Sequence, residues 1–267
     1  MVEILSINPF SILAETVSPL AMQYFIIAMI LLIAVGTIIQ MIHHKNVTYF
    51  FNNAKKAKLA AEKELGVGEK TSVILKTVVH DIATTAELGA GKRRVAHVMG
   101  MYGTILFWVA SVVLVFGYTG SEKSVSTIWP MIWHVGAIMT CVGGYWFWLF
   151  LRVDVLAEAH PWYRIIKADL FVLALLACST FGLAWSYTQF NGQTGLSFLF
   201  LALFVLSNLV LFGGVYWSKF AHMFYKPGAA IQKNLAEADG SRDNLPPPAD
   251  APEQFGLGIK REQPKHY

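Results

Sequence analysis

From Leu170 to Ser218 the chain reads LFVLALLACSTFGLAWSYTQFNGQTGLSFLFLALFVLSNLVLFGGVYWS, 49 consecutive residues without Asp, Glu, Lys or Arg. A membrane-crossing helix needs about 20 predominantly apolar residues, so this stretch is long enough for two. Its polar centre, from Ser186 through Asn191 and Gly192 to Gly195, reads as the turn between them. A hairpin of this kind decides the fold class, because inside hydrocarbon every backbone amide and carbonyl must be paired within the protein, which a helix achieves by itself.

Three more charge-free stretches lie upstream, Thr16 to His44, Val95 to Ser121 and Ser124 to Leu151. The predicted spans are therefore Pro19 to Ile42, His97 to Tyr118, Pro130 to Leu151, Ala168 to Tyr187 and Leu196 to Phe220. The expected fold is all-α, an integral membrane bundle of five transmembrane helices. Composition agrees. Of 267 residues 55% are hydrophobic and 14% charged, where soluble domains carry about 25% charged residues. The mean hydropathy is +0.49. Two cysteines, Cys141 and Cys178, sit in separate apolar runs, which excludes a CxxC pair, a disulfide framework and an iron–sulfur cluster held by this chain alone.

A net charge of +4 would point to nucleic acid only if the basic residues shared an exposed face. Instead they follow the loops. Lys45, Lys55, Lys56, Lys58, Lys63, Lys70, Lys76, Lys92, Arg93 and Arg94 follow span one, Arg152, Arg164 and Lys167 follow span three, and Lys219 and Lys226 follow span five, while the opposite loops hold only Lys123. The positive-inside rule then predicts N-terminus out and C-terminus in. The first 19 residues contain Glu3 and Glu15 but no Lys or Arg, so they do not read as a cleaved signal, and the first span is expected to be retained.

Two regions lie outside the spans. Residues 45–94 hold Lys- and Ala-rich helical sequence and then Val73, Ile74, Val78, Val79 and Ile82 at helical spacing, expected as an amphipathic helix on the membrane surface or against a partner. Residues 227–267 turn polar and Pro-rich and are expected as a cytoplasmic tail, either disordered or an extended arm that orders on a soluble partner through Phe255, Leu257, Ile259 and Tyr267. Residues 1–226 form the membrane domain on this division.

Eight histidines could carry chemistry. His43, His44, His80, His160 and His266 lie at span ends or in polar segments and need no special role. His97 starts span two and His222 follows span five, so antiparallel topology is expected to bring both to the cytoplasmic leaflet at matched depth. Two neutral imidazoles on facing helices, with Gly100 and Gly103 making room, suit bis-His ligation of a haem b without thioether cysteines. Arg93, Arg94 and Lys219 lie nearby toward water and suit its carboxylates. The same residues equally suit two interfacial histidines beside snorkelling basic side chains. His134, at the outer start of span three, reads either as a hydrogen-bonding residue of an aromatic belt or as part of a quinone pocket.

At these residues the sequence resembles the membrane cytochrome b family typified by the respiratory nitrate reductase gamma subunit, which includes quinone-interacting subunits of sulfur-metabolising complexes. The likeness is carried by Arg94-Val95-Ala96-His97-Val98-Met99-Gly100 and by Trp217-Ser218-Lys219-Phe220-Ala221-His222-Met223-Phe224-Tyr225-Lys226-Pro227, with shorter landmarks at Cys141-Val142-Gly143-Gly144 and Lys167-Ala168-Asp169-Leu170. It implies an axial histidine in each long motif, and a multi-pass protein of the bacterial inner membrane. Di-haem members carry two more histidines, at positions matching Phe107 and Phe204 here, and phenylalanine cannot ligate iron. One haem near the cytoplasmic face is therefore implied. Within the family the chain is most similar to the membrane anchors of adenylylsulfate reductase, which implies a soluble flavin and iron–sulfur enzyme as partner and membrane quinone as substrate. Tyr102, Asp169, Ser218 and Lys219 are the candidate quinone-site residues, as polar groups near the haem end. The rivals from other classes are a cofactor-free anchor and a small transporter, although the paired broken helices and midplane charges of a transporter are not evident.

Overall fold

The computed structural model describes residues 2–43, 45–88, 91–118, 126–151, 163–218, 220, 222–241, 254–255 and 259–260, with backbone only at residues 2, 3, 46, 87, 168, 222 and the last four. Two short helices, α1 (Val2–Ser6) and α2 (Pro9–Leu13), precede α3 (Pro19–His43), α4 (Asn46–Ala60), α5 (Val67–Lys76), α6 (Lys92–Gly117), α7 (Ile128–Trp146), α8 (Leu170–Phe190), α9 (Thr194–Gly213) and α10 (His222–Asp239). A π-helical segment, Thr77–Ala83, extends α5, and another, Phe147–Leu151, extends α7. Five of these helices are long and apolar enough to cross a membrane: Pro19–His43, Lys92–Gly117, Ile128–Leu151, Leu170–Phe190 and Thr194–Tyr216. The chain divides into two compact units, Met1–Gln40 with Val95–Ala221 and Met41–Arg94 with His222–Tyr267.

In the first unit the helices meet through small residues, as expected where lipid removes the hydrophobic drive for helix association and close van der Waals packing must replace it. On α6, Ala96, Gly103 and Ala110 recur every seventh residue and are all buried. A Cβ placed on Gly103 would lie 2.6 Å from the Thr140 amide nitrogen, and one on Gly136 would lie 2.6 Å from that of Phe107. Gly143 meets the Ala96 carbonyl in the same way. The backbones of α6 and α7 are therefore in direct contact over two helical turns. Gly144 opens a seat on α7 for Leu176 of α8, and Gly182 on α8 receives the Phe204 ring of α9. By contrast, α3 buries only Met22 and Met29 and touches the bundle closely at Gly36, against Val215.

The hairpin turn is shorter than expected. Helix α8 runs on to Phe190 and only residues 191–193 turn before α9. Ser186 and Thr188, which read as turn residues, are buried, and their hydroxyls bond to His134 and to the Ala184 carbonyl. Gln189 donates to the Pro9 carbonyl at 2.8 Å and accepts from the Trp185 indole at 3.0 Å. At the other end α9 stops at Gly213, short of the expected Phe220, where Gly213-Gly214 and a run of turns replace it. Helix α6 starts five residues before His97, at Lys92.

The N-terminal residues, which the sequence reading treats only as a non-signal, plug the same end of the bundle. Asn8 caps α2 by accepting from the Phe10 amide at 3.0 Å, Pro9 occupies the first helical position, and the Asn8 amide donates to the Tyr118 carbonyl at 3.3 Å. Phe10 then enters edge-on between Trp133 and Trp185, with ring centroids 5.9 and 5.5 Å away.

The second unit corrects the expected tail. Residues 222–239 form α10, which runs through Pro227 and packs on α5, its π-helical extension and α4. Ala230 and Ala236 are buried, the Asn234 amide donates to Thr77 Oγ1 and Asp81 Oδ2 at 2.8 and 2.6 Å, and the last carbonyl of α10, from Asp239, accepts from the amides of Glu62 and Lys63. Gly240, at φ +81°, ends the helix in the left-handed region. The partner of segment 45–94 is thus the chain's own C-terminal helix, recognised through small residues and one clamped amide that carry almost no sequence signal. The His80 ring and then the Asn234 amide hold the Asp81 carboxyl below its ordinary range. That contribution is present above the ordinary aspartate pKa and is lost as pH falls through the lowered one. Farther on, Gln254 and Phe255 pair antiparallel with Lys260 and Ile259. The Pro-rich run 245–252, Leu257 and Tyr267 lie outside the described residues.

Candidate functional site

His97 stands in the second turn of α6 with an exposed side chain. One turn on, a Cβ at Gly100 would meet nothing within 4 Å. An accessible imidazole beside an open glycine fits a planar macrocycle laid along this face of α6. Gly103 does not share that role: the backbone of α7 fills the space above it, and its small size serves helix packing. The side chain of His222 and residue Lys219 lie outside the described set, so the pairing of the two histidines rests on their positions in the chain.

The basic residues divide. Arg94 is clamped inside the second unit, donating from Nε to the Thr84 carbonyl at 2.8 Å and from Nη2 to Thr84 Oγ1 at 2.7 Å. It pins the end of segment 45–94, beside Thr85 at φ +50°, and so commits two of its five N–H donors to Thr84. Arg93 is half-buried. Of the quinone-site candidates, Tyr102 is exposed, Asp169 accepts from the Ile166 amide at 3.0 Å before α8, and Ser218 is buried and accepts from the Phe220 amide at 3.2 Å. None of these three lines the large cavity of the first unit.

That cavity, of about 380 Å³, lies between α2, α3, α6, α8 and α9. Its walls are almost wholly apolar, with Phe10, Met22, Met29, Trp108, Phe204 and Phe212 among them. Among the described residues no Asp, Glu, Lys, Arg or His lines it. Trp108 belongs to the same stripe of α6 as His97, since residues 97, 101, 108, 112 and 115 fall on one face at about 3.6 residues per turn. Its ring stacks on Phe220 at 5.9 Å and tilts against Phe212 at 5.4 Å. Phe107 and Phe204 face each other across α6 and α9 with ring centroids 6.3 Å apart, and Phe204 stacks on Trp185. Sequence reasoning missed the cavity because each of its residues is an ordinary constituent of a membrane helix. The available signal was a set of polar groups, Trp108, Ser111 and Asn208, placed well inside spans.

His134 is a hydrogen-bonding residue packed on Trp133, as the first expectation has it, but an interior one. It is 2% exposed, with Nδ1 2.8 Å from the Pro130 carbonyl and Nε2 2.8 Å from Ser186 Oγ. A carbonyl only accepts, so Nδ1 carries the proton and, in the neutral ring, Nε2 accepts from the serine. Both nitrogens are engaged, and the ring is absent from the cavity wall. His134 is therefore an interior hydrogen-bonding residue that joins α7 to α8. His134→Phe, which keeps bulk, should destabilise by about 1–3 kcal/mol by leaving Ser186 unpaired, and Ser186→Ala in the same background should recover part of the loss. Strictly additive losses in detergent unfolding titrations of the two singles and the double would show that the pair does not couple.

Compared with known proteins, the chain matches no family model, no curated protein and no solved structure.

Proposed function

We propose that this chain is a haem b membrane anchor that relays electrons between a cytoplasmic flavin and iron–sulfur enzyme and the membrane quinone pool. The observation that carries the reading is His97, an exposed imidazole on an apolar spanning helix with an open glycine beside it. Polar titratable groups on spanning helices are expensive and mark function. When bound, a bis-imidazole haem supplies a one-electron carrier. His97, near the start of α6, and His222, at the start of α10, would hold the iron as neutral imidazoles. Arg93 and Lys219 neighbour the two histidines in sequence and would suit two carboxylates. Arg94 keeps the surface segment in place through Thr84. The contact between Phe107 and Phe204 supports the reading too, because it brings together the positions that would hold a second ligand pair and fills them with rings that cannot ligate.

Reduced-minus-oxidised spectra with pyridine haemochrome quantitation test the reading, with one haem b per chain expected. A value near two, or a preparation with no Soret band, which would leave a cofactor-free anchor, overturns it.

The soluble partner proposed is adenylylsulfate reductase or an enzyme of that class, on the side bearing most of the basic residues, with the N-terminus opposite. Residues 222–239 form α10, so the partner-binding arm proposed is the stretch beyond it, Leu245 to Tyr267. Deleting residues after Asn244 should release the partner from membranes and leave haem content unchanged. Unchanged co-purification of the partner would move docking to segment 45–94.

A further inference from the structure

We infer that the open side of α5 and its π-helical extension is a docking surface for anionic phospholipid headgroups. At about 100° per residue, Val67, Thr71, Ile74, Leu75, Val78 and Val79 fall on one side of residues 67–83. The side turned to α10 is a different one: Thr77 is buried there and, with Asp81, accepts from the Asn234 amide. The apolar side stays open, with Val67 84%, Leu75 60% and Val79 64% exposed. Thr71 does not interrupt it, because its hydroxyl is satisfied by the Val67 carbonyl at 2.9 Å. Aliphatic residues this exposed, contiguous over about three helical turns, mark an interaction surface.

Position and charge identify the occupant. The compact unit that holds this stripe also holds the end of one spanning helix, residues 41–43 of α3, and the start of another, residues 92–94 of α6. Segment 45–94 is therefore tethered to a bilayer surface at both ends, and a lipid surface needs no separate encounter. Residues 45–94 carry ten Lys and Arg against five Asp and Glu. Two of those acids are engaged within the unit, Glu69 with Lys63 at 3.1 Å and Asp81 with His80 at 2.8 Å. Lys70 and Lys76 border the stripe on either side and are exposed, so their stems can lie along it while the ammonium groups meet headgroup phosphates. Lys55, Lys56 and Lys58, exposed on α4, add to the same positive field. An acidic protein would match the charge too, but the stripe has no aromatic or arginine anchor of the kind that dominates protein interfaces. Aliphatic side chains bordered by lysine are the composition of an interfacial helix.

The inference stands apart from haem and quinone and needs only the spanning helices. The test places a nitroxide at Leu75→Cys in the full chain, with the native chain taken through the same labelling as the blank for Cys141 and Cys178. Nanodiscs of phosphatidylcholine alone are compared with discs of phosphatidylcholine and phosphatidylglycerol in equal parts. Relaxation of the nitroxide by a water-soluble nickel chelate reports its exposure, which should fall by about threefold or more in the anionic discs. High salt should restore it, since exposed charges are screened. Lys70→Gln combined with Lys76→Gln should lose most of the difference between the discs, and Val79→Asp, which puts a carboxylate in the stripe, should abolish it. Unchanged helix content by circular dichroism checks that these variants are folded. Equal relaxation in the two kinds of disc, with the label open in both or covered in both, overturns the inference. So does a difference that survives both high salt and the double lysine variant. A label open in both discs but covered in native membranes would assign the stripe to a protein partner instead.

Discussion

Replacing His97 by alanine is expected to remove the low-spin haem b spectrum completely, and His222→Ala should do the same. In a bis-imidazole site each ring supplies one of two axial bonds, and loss of either leaves five-coordinate iron or an empty site. Haem content per chain should fall at least tenfold, or the residual haem should turn high-spin with a displaced Soret band. The chain itself should still assemble, since His97 is exposed and lies outside the glycine contacts between α6 and α7. Phe107→His is a useful counterpart: it should add no second haem, because the facing position is Phe204 and a single added imidazole there has no partner. An intact low-spin spectrum in His97→Ala would falsify the ligand assignment even if the protein does bind haem.

The second large effect concerns assembly. Gly136→Leu should prevent stable packing of α6 on α7, with a loss of about 3 kcal/mol or more, because even the first atom of the new side chain would lie 2.6 Å from the Phe107 amide nitrogen and 2.8 Å from the Gly103 carbonyl oxygen. Backbone atoms cannot rotate away as a side chain can, so the helices must separate, and contacts at Ala96, Gly103 and Gly143 separate with them. Gly100→Ala is the control: its Cβ meets nothing, and alanine is the better helix former. Thermal unfolding in detergent should show a large drop for the first and a change within about 0.5 kcal/mol for the second. Equal stabilities would mean that the two helices do not cross where their glycines meet.

The glycines of α6 also show why the candidate site was only partly legible. Gly100 and Gly103 look alike in sequence, one turn apart and both close to His97, and both read as room for a cofactor. Their difference lies entirely in what stands opposite, open space at one and the α7 backbone at the other. Arg93 and Arg94 pose the same problem. Adjacent basic residues read as equivalent, but the second is turned into Thr84.

The number, type and approximate placement of the spanning helices were decided by the sequence alone, because apolar length and the absence of charge are local properties and a bilayer leaves a single chain segment few alternatives to helix. Polar residues near span ends were the exception. Ser186, Thr188 and Gln189 carry the composition of a turn, and they form part of α8 because His134, Ala184, Trp185 and Pro9 supply partners that make burial affordable. Tertiary structure also decided that residues 222–239 are a helix and that residues 2–13 plug the bundle, since both are stabilised by contacts with segments far away in the chain. The cavity beside Trp108 belongs to the same class. A void is the difference between the volume several helices enclose and the volume their side chains fill, and no single segment of sequence encodes that difference.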